Sequence, residues 1–418
     1  MSLARTRRWL IVVALAFSSH LASAQSQFKV LYGFGSGNSG GGLQSKLSVD
    51  KQGNLYGTTY GGGSHKGGVV FELTPEQNGL WGETVLYDFP AYLNDGAAPN
   101  GGPILDSLGN LYGMTTDGGQ YHCGVVYELT PAMGTWNETI IYPFCSHPND
   151  VFGPFDNLTL DARGSLYGAA RDTFELSRGP EGSWAESILH YFNGENGDGE
   201  SATAAVILDK NGNIYGTTLG GGGSRLCPVD DGCGTVYELS PVANDPQVDW
   251  NRRILYAFGQ DSGDGQFPGV DAQLAMDEAG NIFGTTVQGG PNICGEVNCG
   301  IVFELSRNST GRWIKRTIYS FMSGAGGYGP EGGVVIDKAG NLFGTAGAGG
   351  SPNCGCGVIY RLSRAQNGGW QYTVLHTFVG SDGAFPSANM IFDSEGNLYG
   401  STETAGPAGY GVVFELTP

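Results

Sequence analysis

One phrase occurs seven times in this chain, and a repeat of that kind limits the possible folds more than any other feature of the sequence. The signature Gly-Asn-[Leu/Ile]-[Tyr/Phe]-Gly begins at Gly53, Gly109, Gly164 (where Ser165 replaces Asn), Gly212, Gly280, Gly340 and Gly396, at spacings of 56, 55, 48, 68, 60 and 56 residues. Three residues ahead of each glycine stands an aspartate: Asp50, Asp106, Asp161, Asp209, Asp277, Asp337 and Asp393. An aspartate, two linking residues and Gly-Asn spell a tight hairpin, with glycine at positive φ and the carboxylate accepting backbone N–H groups. Sevenfold repetition assigns these aspartates to turns, since catalysis needs one site.

Each unit carries four strand-like runs, rich in β-branched and aromatic residues and bounded by Gly, Pro and Asp. In unit four the first is Ala205-Val206-Ile207-Leu208; elsewhere the second reads Asn-Leu-Tyr-Gly-Thr-Thr, the third Val-Val-Phe-Glu-Leu-Thr-Pro, and the fourth resembles Glu83 to Phe89. Nothing after the first 24 residues keeps a helical period for three turns, so the chain is expected to be all-β. A Trp opens the fourth run in six units, at Trp81, Trp136, Trp184, Trp250, Trp313 and Trp370, whereas the seventh unit stops at Pro418 without one. The missing run stands at the other end: Phe28 to Phe34 matches the pattern of Val85 to Phe89. Complementary ends suit a closed ring better than a capped solenoid. The expected fold is a seven-bladed β-propeller of four-stranded blades, closed by the N-terminal strand completing the last blade.

The units D-x-x-G-N-L-Y-G-T-T, G-V-V-F-E-L-T-P and W-x-E-x-x-L-Y-x-F resemble the GloVer tandem repeats of exported bacterial "choice-of-anchor" proteins, over nearly the whole chain. The resemblance implies export and a repeat scaffold, and members often end in a sorting or anchoring tail. It carries no established chemistry onto particular residues.

Residues 1–24 read as a signal peptide: Arg5, Arg7 and Arg8, an apolar Trp9 to Phe17 core, and Ala22-Ser23-Ala24 as cleavage site. Residues 25–418 are then one exported domain, secreted or periplasmic. No later stretch approaches the roughly 20 apolar residues of a membrane helix, and a monomer is expected. The formal charge is −19, with three arginines and no acid in the leader, so the exported part is more acidic still. Such a surface repels phosphate backbones and anionic lipid, which argues against nucleic-acid and membrane-surface partners. The 73 glycines resemble a disordered composition, but 20 Phe and 20 Tyr supply core material.

Eight cysteines in an oxidising compartment point to disulfides rather than metal thiolates, although eight allow 105 pairings. The repeat restricts them. Cys227 and Cys233 share one Gly-rich loop, Cys294 and Cys299 the next, and Cys123 and Cys145 meet across adjacent strands. Cys354 and Cys356, one residue apart, are left open, because so short a bridge is strained.

Loops after the second and fourth strands hold the long, irregular segments, so one face is the expected binding surface. There Asp95, Asp198, Asp264 and Asp382 each precede a glycine. They either form turns or ring the central opening to hold calcium or a polyhydroxylated ligand. Unit three lacks its Gly-rich loop, which leaves a notch beside Arg171. Neither H-E-x-x-H nor a phosphate loop occurs, and the repeated Glu72, Glu128, Glu175, Glu238, Glu304 and Glu415 read as structural. The expected activity is recognition of a glycan or surface partner without a required cofactor; the alternative is a glycan-cleaving hydrolase or lyase using loop carboxylates.

Overall fold

The computed structural model describes residues 26–418 except 36, 44–45, 92–93, 148–149, 152, 228–231, 243–249, 270 and 367. The expected signal peptide, residues 1–24, lies outside the described residues. Seven antiparallel sheets follow one another as blades, each running from a short inner strand to a long outer one. In blade 1 these are Ser48–Val49, Leu55–Thr59, Lys66–Pro75 and Trp81–Pro90. Among the described residues the one helical element is a 3-10 turn at Glu195–Gly197, and no helix is long and apolar enough to cross a membrane.

Closure occurs as the complementary ends suggested. Gln27–Gly33 pairs antiparallel with Val412–Thr417, with Val30 opposite Phe414, and supplies the outer strand of blade 7. In every blade the register slips at the same place between third and outer strand, for instance between Val126 and Tyr127 or Val302 and Phe303, and blade 1 slips a second time between Lys66 and Val69. One bulge per blade at the same place increases local twist, which fits flat sheets to a curved ring.

The hairpin aspartates make turns. Asp50 Oδ1 accepts N–H groups from Gln52 and Asn54 at 2.8 Å, Oδ2 accepts the Asn54 amide at 2.9 Å, and Gly53 sits at φ +87°. Burial alone would raise the equivalent Asp209 carboxyl, but hydrogen bonds from Asn213, Asn211 and Tyr215 outweigh it and hold the pKa below the usual value. The second-strand tyrosine ties turn to blade: Tyr56 Oη donates to Asp50 and to Glu72 of the third strand, at 3.2 and 3.0 Å. Where Phe343 replaces the tyrosine, Arg361 replaces the glutamate.

Blades are joined by a repeated aromatic contact. The Phe ending each outer strand packs on the third-strand aromatic of the next blade: Phe34 on Phe71, Phe89 on Tyr127, Phe144 on Phe174, Phe192 on Tyr237, Phe258 on Phe303, Phe321 on Tyr360 and Phe378 on Phe414, with centroids 4.6 to 5.6 Å apart. Beneath each third-strand aromatic lies the last glycine of the signature. A Cβ on Gly216 would stand 2.3 Å from Tyr237 Oη, and one on Gly284 2.6 Å from Phe303 Cζ. Nearer the turns, Arg364 lies over Trp370 at 4.0 Å and reaches Glu304 of the preceding blade at 2.9 Å; Arg307 repeats this over Trp313 toward Glu238.

Four disulfides are formed: Cys123–Cys145, Cys227–Cys233, Cys294–Cys299 and Cys354–Cys356, with Cα atoms 5.2 to 6.0 Å apart and no free cysteine among the described residues. The pair left open in the sequence is therefore joined. Gly284→Ala is expected to destabilise the ring by about 1–3 kcal/mol, the usual cost of overpacking a close contact, whereas Gly61→Ala should lose less, because no atom lies within 4 Å of its added Cβ and its backbone is not at positive φ. Denaturant unfolding of the two variants checks the difference.

Candidate functional site

The meander places all long connections on one face, as expected. There the loop leaving each outer strand pairs with the loop after the second strand of the next blade: Gly96 with Gly118, Gly199 with Gly221, Gly265 with Gly289, and single bridges Gly41–Gly61, Tyr328–Ala348 and Ala384–Thr404. Six of the seven seams are zipped in this way. Blade 3 is the exception, because Leu166–Ala170 turns into Asp172–Arg178 through Arg171 alone. The Gly-rich loop is absent at this point, and Arg171, at φ +70°, bridges to Ala202 on the far side of its blade.

The loop aspartates do not line the axial opening. They sit at the periphery, in the seams between outer strands, and accept hydrogen bonds from the protein. Asp95 takes the Tyr87 hydroxyl at 2.5 Å and its neighbour's N–H at 2.6 Å. Asp198 takes His190 at 2.9 Å and pairs with Arg252 at 3.1 Å. Asp264 takes Tyr256 at 2.8 Å and Lys315 at 2.6 Å. Asp382 takes His376 at 3.0 Å and Val379 N–H at 2.8 Å.

Across three of these seams, the residue two positions after the outer-strand Trp faces the aspartate, and its charge varies: Arg252 and Lys315 balance Asp198 and Asp264, but Glu138 stands near Asp95. Burial first, and then the Asp95 charge, push the Glu138 carboxyl up to about 7. In the sequence this acid is the last residue of the W-x-E motif, Trp136-Asn137-Glu138.

The axis is lined by the residue four places before each hairpin aspartate: Lys46, Gly102, Asn157, Ala205, Gln273, Gly333 and Asn389. At this register the seven copies disagree. Glycine is required at two of them by crowding, since a Cβ on Gly102 would lie 1.7 Å from the Lys46 carbonyl oxygen and one on Gly333 2.1 Å from that of Gln273. The others are mostly polar. Lys46 Nζ donates to Gln273 Oε1 at 2.6 Å, joining blades 1 and 5 across the opening. Asn389 accepts from Gly333 N–H at 2.7 Å and donates to the Asp271 carbonyl. Buried Asp156 accepts the Ala205 N–H at 2.6 Å.

Two cavities of about 330 and 250 Å³ share Lys46 in their walls. Burial lowers the Lys46 pKa, with the Asp156 charge opposing. Burial, reinforced by the charges of Asp156, Glu331 and Glu403, raises Asp271 well above the usual carboxylate range. An ammonium, amides and carboxyl groups thus converge where the loop-rich face meets the axis. Two larger hollows, of about 550 and 530 Å³, lie on the opposite face between the hairpins of blades 4 and 5 and of blades 6 and 7.

Residues 19–180 and 173–414 match a family described as the Gloeobacter/Verrucomicrobia repeat. No curated protein matches the sequence. Among solved structures the chain is similar to an ancestral GH74 enzyme, at 10% identity and TM-score 0.54, covering 91% of this chain and 48% of that one. It is also similar to the extracellular domain of a B. thetaiotaomicron protein described as a hybrid two-component system, at 11% identity and TM-score 0.53, covering 93% of this chain and 39% of that one. The chain spans about half of the first and two-fifths of the second, and at these identities the likeness is one of fold.

A carboxyl whose folded pKa is raised destabilises the protein increasingly as pH climbs from its unfolded value through the folded one. Between the ordinary glutamate value of 4.5 and about 7, Glu138 therefore acquires a penalty that it lacks at lower pH. Glu138→Gln is expected to stabilise the protein at pH 8, by roughly 1 kcal/mol or less given partial solvation, and to be neutral at pH 4. Thermal unfolding of both proteins at the two pH values measures this.

Proposed function

The chain belongs to the Gloeobacter/Verrucomicrobia repeat family, and from that premise we propose that it is an exported binding module which holds a glycan, or the glycan of a surface partner, at the axial mouth of its loop-rich face. One observation carries the reading. The framework is repeated seven times with little change, while the position that faces the axis holds Lys, Gly, Asn, Ala, Gln, Gly and Asn. A repeat that served only to close the ring would have no reason to place different polar groups there.

The chemistry suits sugar hydroxyls. Amides offer a donor and an acceptor, carboxylates accept and an ammonium donates, and a rigid scaffold holds them without an ordering cost at binding. Four disulfides agree with an oxidising compartment. A few placed polar groups around a preformed hollow are also how pockets fix ligand orientation.

Glycan cleavage is a second reading, favoured by one feature: burial, and after it the Asp156 charge, raise the Asp271 carboxyl well above the usual range, the direction of shift that suits a general acid. Propellers host both binders and enzymes, so the fold does not choose.

A glycan array followed by calorimetry on the best ligand tests the binding reading. Lys46→Met is expected to weaken binding at least tenfold, about 1.4 kcal/mol, with Asp382→Asn unchanged. Product analysis after long incubation separates the readings: retention without products supports the binder, and turnover abolished by Asp271→Asn supports the hydrolase. Equal affinity of wild type and Lys46→Met would remove the axial mouth from consideration.

A further inference from the structure

The seam between blades 2 and 3 combines three features that no other seam unites among the described residues. First, its charge is not balanced, as in the seam of Asp95 and Glu138. Asp150 occupies the loop-aspartate position, eight residues after Tyr142 as Asp264 is after Tyr256, and the residue facing it is Glu186 rather than Lys315 or Arg252. Second, its oxygens lack donors. Glu186 has a side chain only 3% exposed, and its Oε1 has no hydrogen-bond partner; the buried Asp150 Oδ1 has none either. The second oxygens are engaged: Glu186 Oε2 accepts from Tyr142 at 2.9 Å, and Asp150 Oδ2 from Ser146 N–H and Oγ at 2.6 and 3.0 Å. Third, an imidazole joins the carboxylates. His147 Nε2 lies 3.1 Å from Glu186 Oε2, and one ligand atom from each of His147, Asp150 and Glu186 falls within 4.8 Å of the others.

Two buried carboxylates without a cation between them are costly. In two sister seams the fold meets that cost with a covalently attached positive charge. Here the same register position carries a second acid, and a cation from solution can play the part of the Lys315 ammonium. This is also the seam where, among the described residues, no loop after the second strand zips over the aspartate, and His147 is about half exposed.

We infer that His147, Asp150 and Glu186 bind a divalent transition ion in the seam between blades 2 and 3, with zinc as the best match. One imidazole nitrogen and two carboxylate oxygens form a three-ligand set of the kind that zinc takes with a fourth position open to water, whereas calcium prefers six to eight oxygens. The Cys123–Cys145 disulfide pins the segment that delivers His147, because Cys145 is two residues away. The inference does not depend on the axial reading, since no residue is shared between the two.

The disulfide-intact protein, stripped with EDTA, is titrated with zinc by calorimetry and followed by thermal unfolding. One zinc per chain and a raised Tm are expected, with binding reduced at least tenfold in His147→Ala and in Glu186→Gln. Glu186→Lys copies the arrangement of the balanced seams and should abolish zinc binding while keeping a metal-free Tm at or above that of wild type, which distinguishes loss of a ligand from loss of the fold. No zinc uptake by wild type, undiminished uptake by Glu186→Lys, or a response to calcium but not to zinc would overturn the assignment.

Discussion

The contact between the signature glycine and the third-strand aromatic organises the ring. Phe303 lies across Gly284 so closely that no side chain fits between them, and the upper face of the same ring receives Phe258 from the blade before. Each aromatic is thus packed from within its blade and from outside it. Fully burying a side chain of this size is worth about 1.5–3 kcal/mol, and an aromatic pair adds about 0.5–1.5 kcal/mol. Repetition at seven seams makes this the dominant apolar link between blades. Pairing of the two chain ends then joins blade 6 to blade 7 and blade 7 to blade 1 through the same pair of rings, Phe378 on Phe414 and Phe34 on Phe71.

Once the framework is fixed by that contact, departures from it become informative. At the axis the repeated position is released from packing and carries Lys46, Asn157, Gln273 and Asn389. At the periphery the residue after Trp-x is an acid in blades 1 to 3, a base in blades 4 and 5 and Tyr372 in blade 6, giving salt bridges in the seams of Arg252 and Lys315 and apposed carboxyl groups in those of Glu138 and Glu186. Burial, and after it the Asp150 charge, push Glu186 up to about 8. Axis and seam are separate regions, built from the ends of inner and outer strands respectively, and each can vary without disturbing the aromatic ring between them.

The loop aspartates illustrate where a sequence argument loses sight of space. Asp95, Asp198, Asp264 and Asp382 lie on the loop-rich face but at its periphery rather than at the axis. A loop that leaves an outer strand must travel inward to the next inner strand, and its aspartate is spent at the start of that journey, on Tyr87, His190, Tyr256 or His376 of the strand just left. The residues that reach the axis come at the end of the same loop, immediately before the inner strand.

From the sequence alone came the number of blades, their four strands, the closing partnership of Phe28 to Phe34 with the final unit, the hairpin function of seven aspartates and three cysteine pairs. All of these are local or periodic properties: a turn is set by four neighbouring residues, and a period is visible without coordinates. Tertiary structure decided which polar groups share a space. Lys46 and Gln273 are 227 residues apart and touch only because a ring brings blades 1 and 5 to one axis; Asp150 and Glu186 meet only because neighbouring outer strands face each other across a seam. Charge balance between such groups acts over a few ångströms in three dimensions, and a linear pattern does not record that distance.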